Sequence, residues 1–123
     1  MEIILLDTNI LIEILKGDEK TIKKVQSFKQ QLHISSITVM ELYYGALNKA
    51  ELNKIEKFIS LFIVIEVNEK ISKKATKLIK EYAKSHNLDI PDSLIASTSL
   101  ENNARLFTYN LKDFRYILGI ELL

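Results

Sequence analysis

Residues 2–15, EIILLDTNILIEIL, set the first problem of this chain: the unbroken apolar run Ile3-Ile4-Leu5-Leu6 ends on an acid, Asp7. A short continuous apolar run reads as a strand buried on both faces, the kind found in parallel sheets. Asp7-Thr8-Asn9 are residue types favoured at helix N-caps, and Ile10, Ile14 and Leu15 then recur at helical spacing. A carboxylate between two apolar segments is costly unless hydrogen bonds or positive charge meet it. Asp7 therefore either caps the following helix or is held at the rim of a sheet for chemistry.

The strand-then-helix pattern repeats along the chain. Ile22, Val25 and Phe28 predict a helix over residues 19–30, with one thin apolar stripe. Leu32-His33-Ile34-Ser35 reads as a second strand, and Ser35-Ser36 as the cap of a helix over 37–49. A further helix over 51–61 carries Leu52, Ile55 and Ile59, and the β-branched run at 62–65 predicts a third strand. Asn68 opens a long helix with Ile71, Ala75, Leu78 and Tyr82 inward and Lys73, Lys77, Lys80 and Lys84 outward. Asp89-Ile90-Pro91-Asp92 starts another, since proline suits a first helical turn. Residues 105–108 read as a fourth strand, 113–118 as a short helix and 120–122 as a last strand. Alternating strands and helices predict an α/β domain with a mainly parallel sheet, spanning residues 1–123 without a linker or repeat.

Composition narrows the function classes. The 123 residues suit one domain, and 47% hydrophobic with 27% charged residues argues against disorder. Seventeen Lys and Arg balance sixteen Asp and Glu, so a nucleic-acid partner would need a local patch rather than a basic chain. The absence of cysteine excludes disulfides and thiolate metal sites. With three glycines there is no Gly-rich phosphate loop, which disfavours a dinucleotide enzyme. No basic stretch precedes the first apolar run, and no segment reaches the ~20 apolar residues of a membrane span. The expectation is a soluble, cytoplasmic protein with no membrane partner.

In a parallel sheet, functional residues gather beyond the carboxyl ends of the strands. Asp7 follows the first strand, Glu41 lies one turn into the helix after the second, Asp92 opens the helix leading into the fourth, and Asp113 follows that strand. Two carboxylates ~5 Å apart repel by ~3 kcal/mol at an effective dielectric of 20. A divalent cation relieves that repulsion, and oxygen-only donors point to Mg²⁺ or Mn²⁺. Such a site activates water and stabilises the leaving oxygen of a phosphodiester. Singly, each acid has a plainer reading: Asp7 and Asp113 as caps, Asp92 as a charge favoured at a helix N-terminus, Glu41 as part of a Thr38–Glu41 capping box.

The blocks LLDTNILIEIL (5–15), ISSITVMELYYGA (34–46), IPDSLIASTSL (90–100) and LFTYNLKDF (106–114) together resemble the PIN-domain family, in its order and over essentially the whole chain. They are most similar in pattern to VapC-like toxin ribonucleases of prokaryotic toxin–antitoxin pairs. The resemblance implies a three-layer α/β/α sandwich with a parallel sheet of about five strands, and a Mg²⁺- or Mn²⁺-dependent endoribonuclease. It assigns catalytic and metal-binding roles to Asp7, Glu41, Asp92 and Asp113, with Thr8, Asn9, Thr108 and Asn110 as polar support. Family members place the fourth acid at the position of either Asn110 or Asp113, and here only Asp113 is an acid. The implied partners are an RNA substrate, a cognate antitoxin whose tail enters the acidic groove, and a second copy of the chain.

Four other readings compete for the same residues. A haloacid-dehalogenase-like phosphotransferase wants a second Asp where Asn9 stands, and a receiver domain wants an aspartate where Glu66 follows the third strand. A catalytically silent α/β binding module would use the acids as caps only, and a non-toxin PIN nuclease would act in RNA processing. His33 and His86 belong to no matching motif and read as structural. Tyr43, Tyr44, Phe58 and Phe62 read as core or interface residues rather than base-stacking ones. Lys49, Lys54, Lys57, Lys112 and Arg115 are candidate phosphate contacts, with solubility an adequate account of each.

Overall fold

The computed structural model describes residues 2–123. Its elements, in chain order, are β1 (Ile4–Leu6), α1 (Thr8–Leu15), α2 (Glu19–Gln26), β2 (Leu32–Ser35), α3 (Ser36–Tyr44), α4 (Lys49–Ile59), β3 (Ile63–Ile65), α5 (Glu69–His86), α6 (Ile90–Glu101), β4 (Arg105–Phe107) and β5 (Glu121–Leu122), with a 3₁₀ turn at Leu111–Asp113. The five strands form one sheet in the order β3-β2-β1-β4-β5. Every neighbouring pair is parallel, for example Ile4 against Leu32 on one side and Ile4 against Arg105 on the other.

The three layers follow from the period-2 geometry of the central strands. Ile4 and Leu6 of β1 join Ile10, Leu11, Val25, Ile34, Leu42, Ile55 and Ile59, the core under α1 to α4. Leu5 points the other way and joins Leu78, Leu88, Ile95, Ala96 and Phe114, the core under α5 and α6. β4 divides likewise, Phe107 to the first core and Leu106 to the second. All three residues of β1 are buried, which accounts for the unbroken apolar run.

The local signals end several helices earlier than periodicity predicts. α2 stops at Gln26, where Ser27 turns its hydroxyl back onto the Lys24 carbonyl, and not near residue 30. The predicted helix over 37–49 is α3, capped by Ser35 and ending at Tyr44; Asn48 then caps α4 at Lys49. Thr38 is thus inside α3, so the Thr38–Glu41 capping box does not form. Residues 113–118 form turns rather than a helix, following the 3₁₀ turn. α5 opens after Asn68 as expected, extends through His86 and ends on Asn87, whose left-handed φ of 57° is one that asparagine tolerates.

α6 is the inner helix and packs against α5. It buries Ser93, Ser97, Thr98 and Ser99 beside Ile95 and Ala96, which no apolar stripe foretold. Small side chains let the helices approach, and the buried hydroxyls are satisfied: Ser97 donates to the Ile71 carbonyl (2.6 Å) and Ser99 to that of Ala104 (2.8 Å). Among the described residues no helix is long and apolar enough to cross a membrane.

Phe114 is fully buried and anchors the loop that carries Asp113. Phe114→Ala should destabilise the chain by about 3–5 kcal/mol, lowering Tm by about 10–20 °C in a thermal melt. A smaller fall than 5 °C would show that the loop is held by something else.

Candidate active site

Strand order reverses at β1: β2 and β3 lie to one side of it, β4 and β5 to the other. In open parallel sheets the crevice beyond the strand ends opens at such a switch point. Asp7 stands there. Its backbone N–H donates to the Phe107 carbonyl at 3.0 Å, extending the β1–β4 ladder one residue past the strand. Asp7 is 4% exposed, so its charge is carried by hydrogen bonds. Oδ1 accepts from the Thr8 N–H (2.8 Å). Oδ2 accepts from the Thr108 hydroxyl (2.8 Å) and from Asn9 Nδ2 (3.2 Å).

This network draws in most of the residues expected on sequence. Asn9 also donates to Thr108 Oγ1 (3.3 Å), and its carbonyl oxygen accepts from the Tyr109 N–H (3.3 Å). The Asn110 N–H donates to Thr108 Oγ1 (3.0 Å). Thr8 Oγ1 donates to Glu41 Oε1 (2.7 Å), tying α3 to the β1–α1 junction. That hydroxyl has one proton to give, so at its other contact the fully buried Thr38 is the donor (2.9 Å). Asp7, Thr8, Asn9, Thr108 and Glu41 are therefore one connected cluster, with Asn110 attached through its backbone.

Asp92 and Asp113 join by charge rather than by hydrogen bond. Asp92 sits in the first turn of α6, half-buried, and its N–H donates to the cap Asp89 (2.8 Å). Burial, then the charges of Asp89, Asp7, Asp113 and Glu41, push the Asp92 carboxyl up to about 7. Burial also raises Asp7 above its ordinary value, opposed by the bonds from Thr108 and Thr8 and reinforced by Glu41 and Asp113. Asp113 is exposed at the end of the 3₁₀ turn, near enough to act on both.

Three residues of the site escaped the sequence reading. Thr38 enters the sequence reading only through a possible capping box with Glu41, and its contact with Thr8 reveals its role. Asp89 was recognised as opening α6 but not as a charge on Asp92. Tyr116 has a solvent-shielded hydroxyl with no partner, and burial raises its pKa, helped by Asp92, Asp113 and Asp89. No local pattern distinguishes it.

The donor set suits a hard divalent cation. All the side chains offer oxygen, they repel one another, and among the described residues the ion pairs are Lys16–Glu13, Lys73–Glu69 and Arg105–Glu2, none of which neutralises the cluster. Among the described residues no three acids stand close enough to make a ready-built shell. Mg²⁺ does not require one, because it keeps several waters and takes one or two carboxylates.

The Asp92 shift has a signed consequence. Folded, Asp92 keeps its proton up to about pH 7; unfolded, it loses it near 3.8. The folded state binds the extra proton between those values, so this stabilisation is full below about pH 4 and is lost as pH rises through 7. Solvent screening of a half-exposed group reduces the contribution to about 1–2 kcal/mol. In EDTA, Asp92→Asn should remove this slope and raise Tm at pH 8 by about 5 °C. An unaltered slope in melts from pH 4 to 8 would contradict the electrostatic origin.

The comparisons with known proteins agree with this geometry. The profile of the PIN domain family matches residues 4–117. Ribonuclease VapC1 of Rickettsia felis is 31% identical, over 98% of this chain and 94% of the relative. A chain in the crystal structure of VapBC2 from Rickettsia felis, bound to a DNA fragment from its promoter, superposes with a TM-score of 0.85 at 29% identity, covering 98% and 97% of the two chains. A chain of VapBC-1 from nontypeable Haemophilus influenzae gives 0.84 at 30% identity, covering 98% and 96%. With the profile spanning all but the ends of the chain, on a parallel sheet whose switch point holds the acids, this protein belongs to the PIN domain family.

Proposed function

We propose that the chain is a metal-dependent endoribonuclease, the toxin of a toxin–antitoxin pair, with residues 1–123 acting as one nuclease domain. The observation that carries the chemistry is a cluster of four carboxylates at the sheet's switch point, held together without a neutralising cation from the protein. The RNA substrate and the antitoxin are inferred from relatives: one is named a ribonuclease, two structural neighbours are VapBC assemblies, and another is a toxin–antitoxin complex from Klebsiella pneumoniae.

Asp7, Glu41, Asp92 and Asp113 are the residues that would hold Mg²⁺ or Mn²⁺. Bound there, such an ion supplies Lewis acidity toward a phosphoryl oxygen and a water of lowered pKa. The protein's part is orientation. Thr108, Asn9 and the Thr8 N–H aim the Asp7 carboxylate, and Thr8 holds Glu41 facing it. Burial and the neighbouring acids push the Asp92 carboxyl up to about 7, so a cation held there would displace its proton. Asn110 donates through its backbone to Thr108, leaving the fourth acidic role to Asp113.

Surface features support the partners. An apolar groove of about 670 Å³ runs between α1, α3 and α4, lined by Ile12, Leu15, Leu42, Ala50 and Ile55 with Lys16 and Lys54 at its sides. Tyr44 and Leu47 beside it are 94% and 85% exposed, a surface suited to an apolar segment of the antitoxin. A basic antitoxin side chain reaching the acids would compete with metal. At the sheet's outer edge, β3 exposes Ile63, and Leu61 before it is exposed too, apolar surface that suits a homodimer.

Cleavage of total structured RNA by the wild-type chain should require Mg²⁺ or Mn²⁺. Asp7→Asn or Asp92→Asn should each lower the rate by about a thousandfold, the loss of several kcal/mol of charge stabilisation. Asp113→Asn should cost more activity than Asn110→Ala. No cleavage, together with no metal-induced rise in Tm, would leave a binding module whose acids are helix caps. In the purified complex with its antitoxin, metal affinity and cleavage should both fall; unchanged values would refute the competition.

A further inference from the structure

Which end of the Asn9 amide faces Asp7 is settled by the backbone of residues 109–110. Asn9 Oδ1 accepts from the Tyr109 N–H (3.3 Å), so Nδ2 is the end turned to Asp7 Oδ2 (3.2 Å). The Thr108 hydroxyl is directed in the same way. Its oxygen accepts from the Asn110 N–H (3.0 Å) and from Asn9 Nδ2 (3.3 Å), which leaves its proton for Asp7 (2.8 Å). Two of the three donors on the Asp7 carboxylate therefore take their direction from two peptide N–H groups. Yet Tyr109 and Asn110 are both exposed, and an exposed segment keeps one direction only where something anchors it.

The anchor comes from α2. The Tyr109 hydroxyl lies 2.6 Å from Thr21 Oγ1, 88 residues away in the chain. Thr21 is fully buried, and its hydroxyl donates to Asp18 Oδ2 (2.5 Å). With that proton given, the tyrosine is the donor in the other contact. Bonds from the Thr21 hydroxyl and N–H hold the Asp18 carboxyl below its ordinary value, so it remains an acceptor at neutral pH. Capping α2 needs only the Thr21 N–H, which reaches Asp18 at 3.2 Å, so the cap does not account for the buried hydroxyl. Phe107 meets the Tyr109 ring edge-on, with centroids 5.6 Å apart, and steadies it from the sheet. We propose that Thr21 is a positioning residue for Asp7: the chain Asp18–Thr21–Tyr109 pins the 109–110 peptides, and through them the donors of Asn9 and Thr108. The inference rests on the nuclease reading, in which Asp7 holds the metal ion. It extends that reading to a residue of α2 whose own hydrogen bonds reach none of the four acids.

The test breaks the bond from each end. Thr21→Val keeps the shape and loses the hydroxyl, Tyr109→Phe removes the partner hydroxyl, and Thr21→Ser retains a hydroxyl on α2. Mn²⁺ affinity is measured by isothermal titration of the EDTA-stripped protein, alongside Tm and steady-state RNA cleavage. Thr21→Val and Tyr109→Phe should each weaken Mn²⁺ binding by about tenfold, as when a group that orients a metal ligand is lost. kcat should fall by a similar factor, with KM for RNA unchanged. The double variant should lose no more than either single one, because both remove the same bond. Thr21→Ser should recover the wild-type affinity. If Thr21→Val does not fold, Tyr109→Phe, changed at an exposed position, gives the same reading. A lowered Tm with wild-type Mn²⁺ affinity, or losses that multiply in the double variant, would overturn the inference and leave the nuclease intact. A wild type that neither binds Mn²⁺ nor cleaves RNA would instead overturn the nuclease reading, and this inference with it.

Discussion

The structure depends on keeping one carboxylate ionisable where water is nearly absent. Asp7 is 4% exposed at the end of the central strand, and three donors from Thr8, Asn9 and Thr108 meet its two oxygens. An unsatisfied buried carboxylate would cost several kcal/mol or give up its charge. These three donors come from two places: Thr8 and Asn9 belong to the turn into α1, and Thr108 lies at the end of β4. The bond from the Asp7 N–H to the Phe107 carbonyl sets the register that lets them meet.

The two cores follow from the same strand. Among the described residues, β1 is the only strand with a sheet neighbour on each side and all its residues buried, so its alternate side chains seed both helical layers. One core carries α1 and α3, and with them Thr8, Thr38 and Glu41. The other carries α6 and the loop anchored by Phe114, and with them Asp92 and Asp113. The acidic cluster is where the two layers meet over the ends of the strands. Asp92 is raised there by burial first and then by the charges of Asp89, Asp7, Asp113 and Glu41, so stability is given up where the acids gather.

Residue order alone placed the four acids one after each relevant strand or at the start of the relevant helix, and the family's blocks matched the same positions. What it misjudged were features without local signal. The Thr38–Glu41 spacing imitates a capping box, but Ser35, the last residue of β2, takes the cap by accepting from the Ile37 N–H. α6 reads as weakly amphipathic, since its buried positions are mostly serine and threonine paired to carbonyls. Tyr109 reads as one residue of the LFTYNLKDF block until Thr21, far away in the chain, is seen to hold it.

The sequence by itself determined the alternation of strands and helices, the helix starts at Asn68 and Asp89, and the places where acids leave the sheet. Those are decided by side-chain periodicity and by hydrogen bonds that span only a few residues. Only the tertiary structure decided that β4 lies beside β1, bringing Thr108 to Asp7 and Asn9 to Tyr109, and that Thr38 supports Glu41 through Thr8. Strand order is chosen by how both faces of a sheet are covered at once, and the environment of a charge by everything that covering brings near it. Neither quantity is written in any short stretch of the chain.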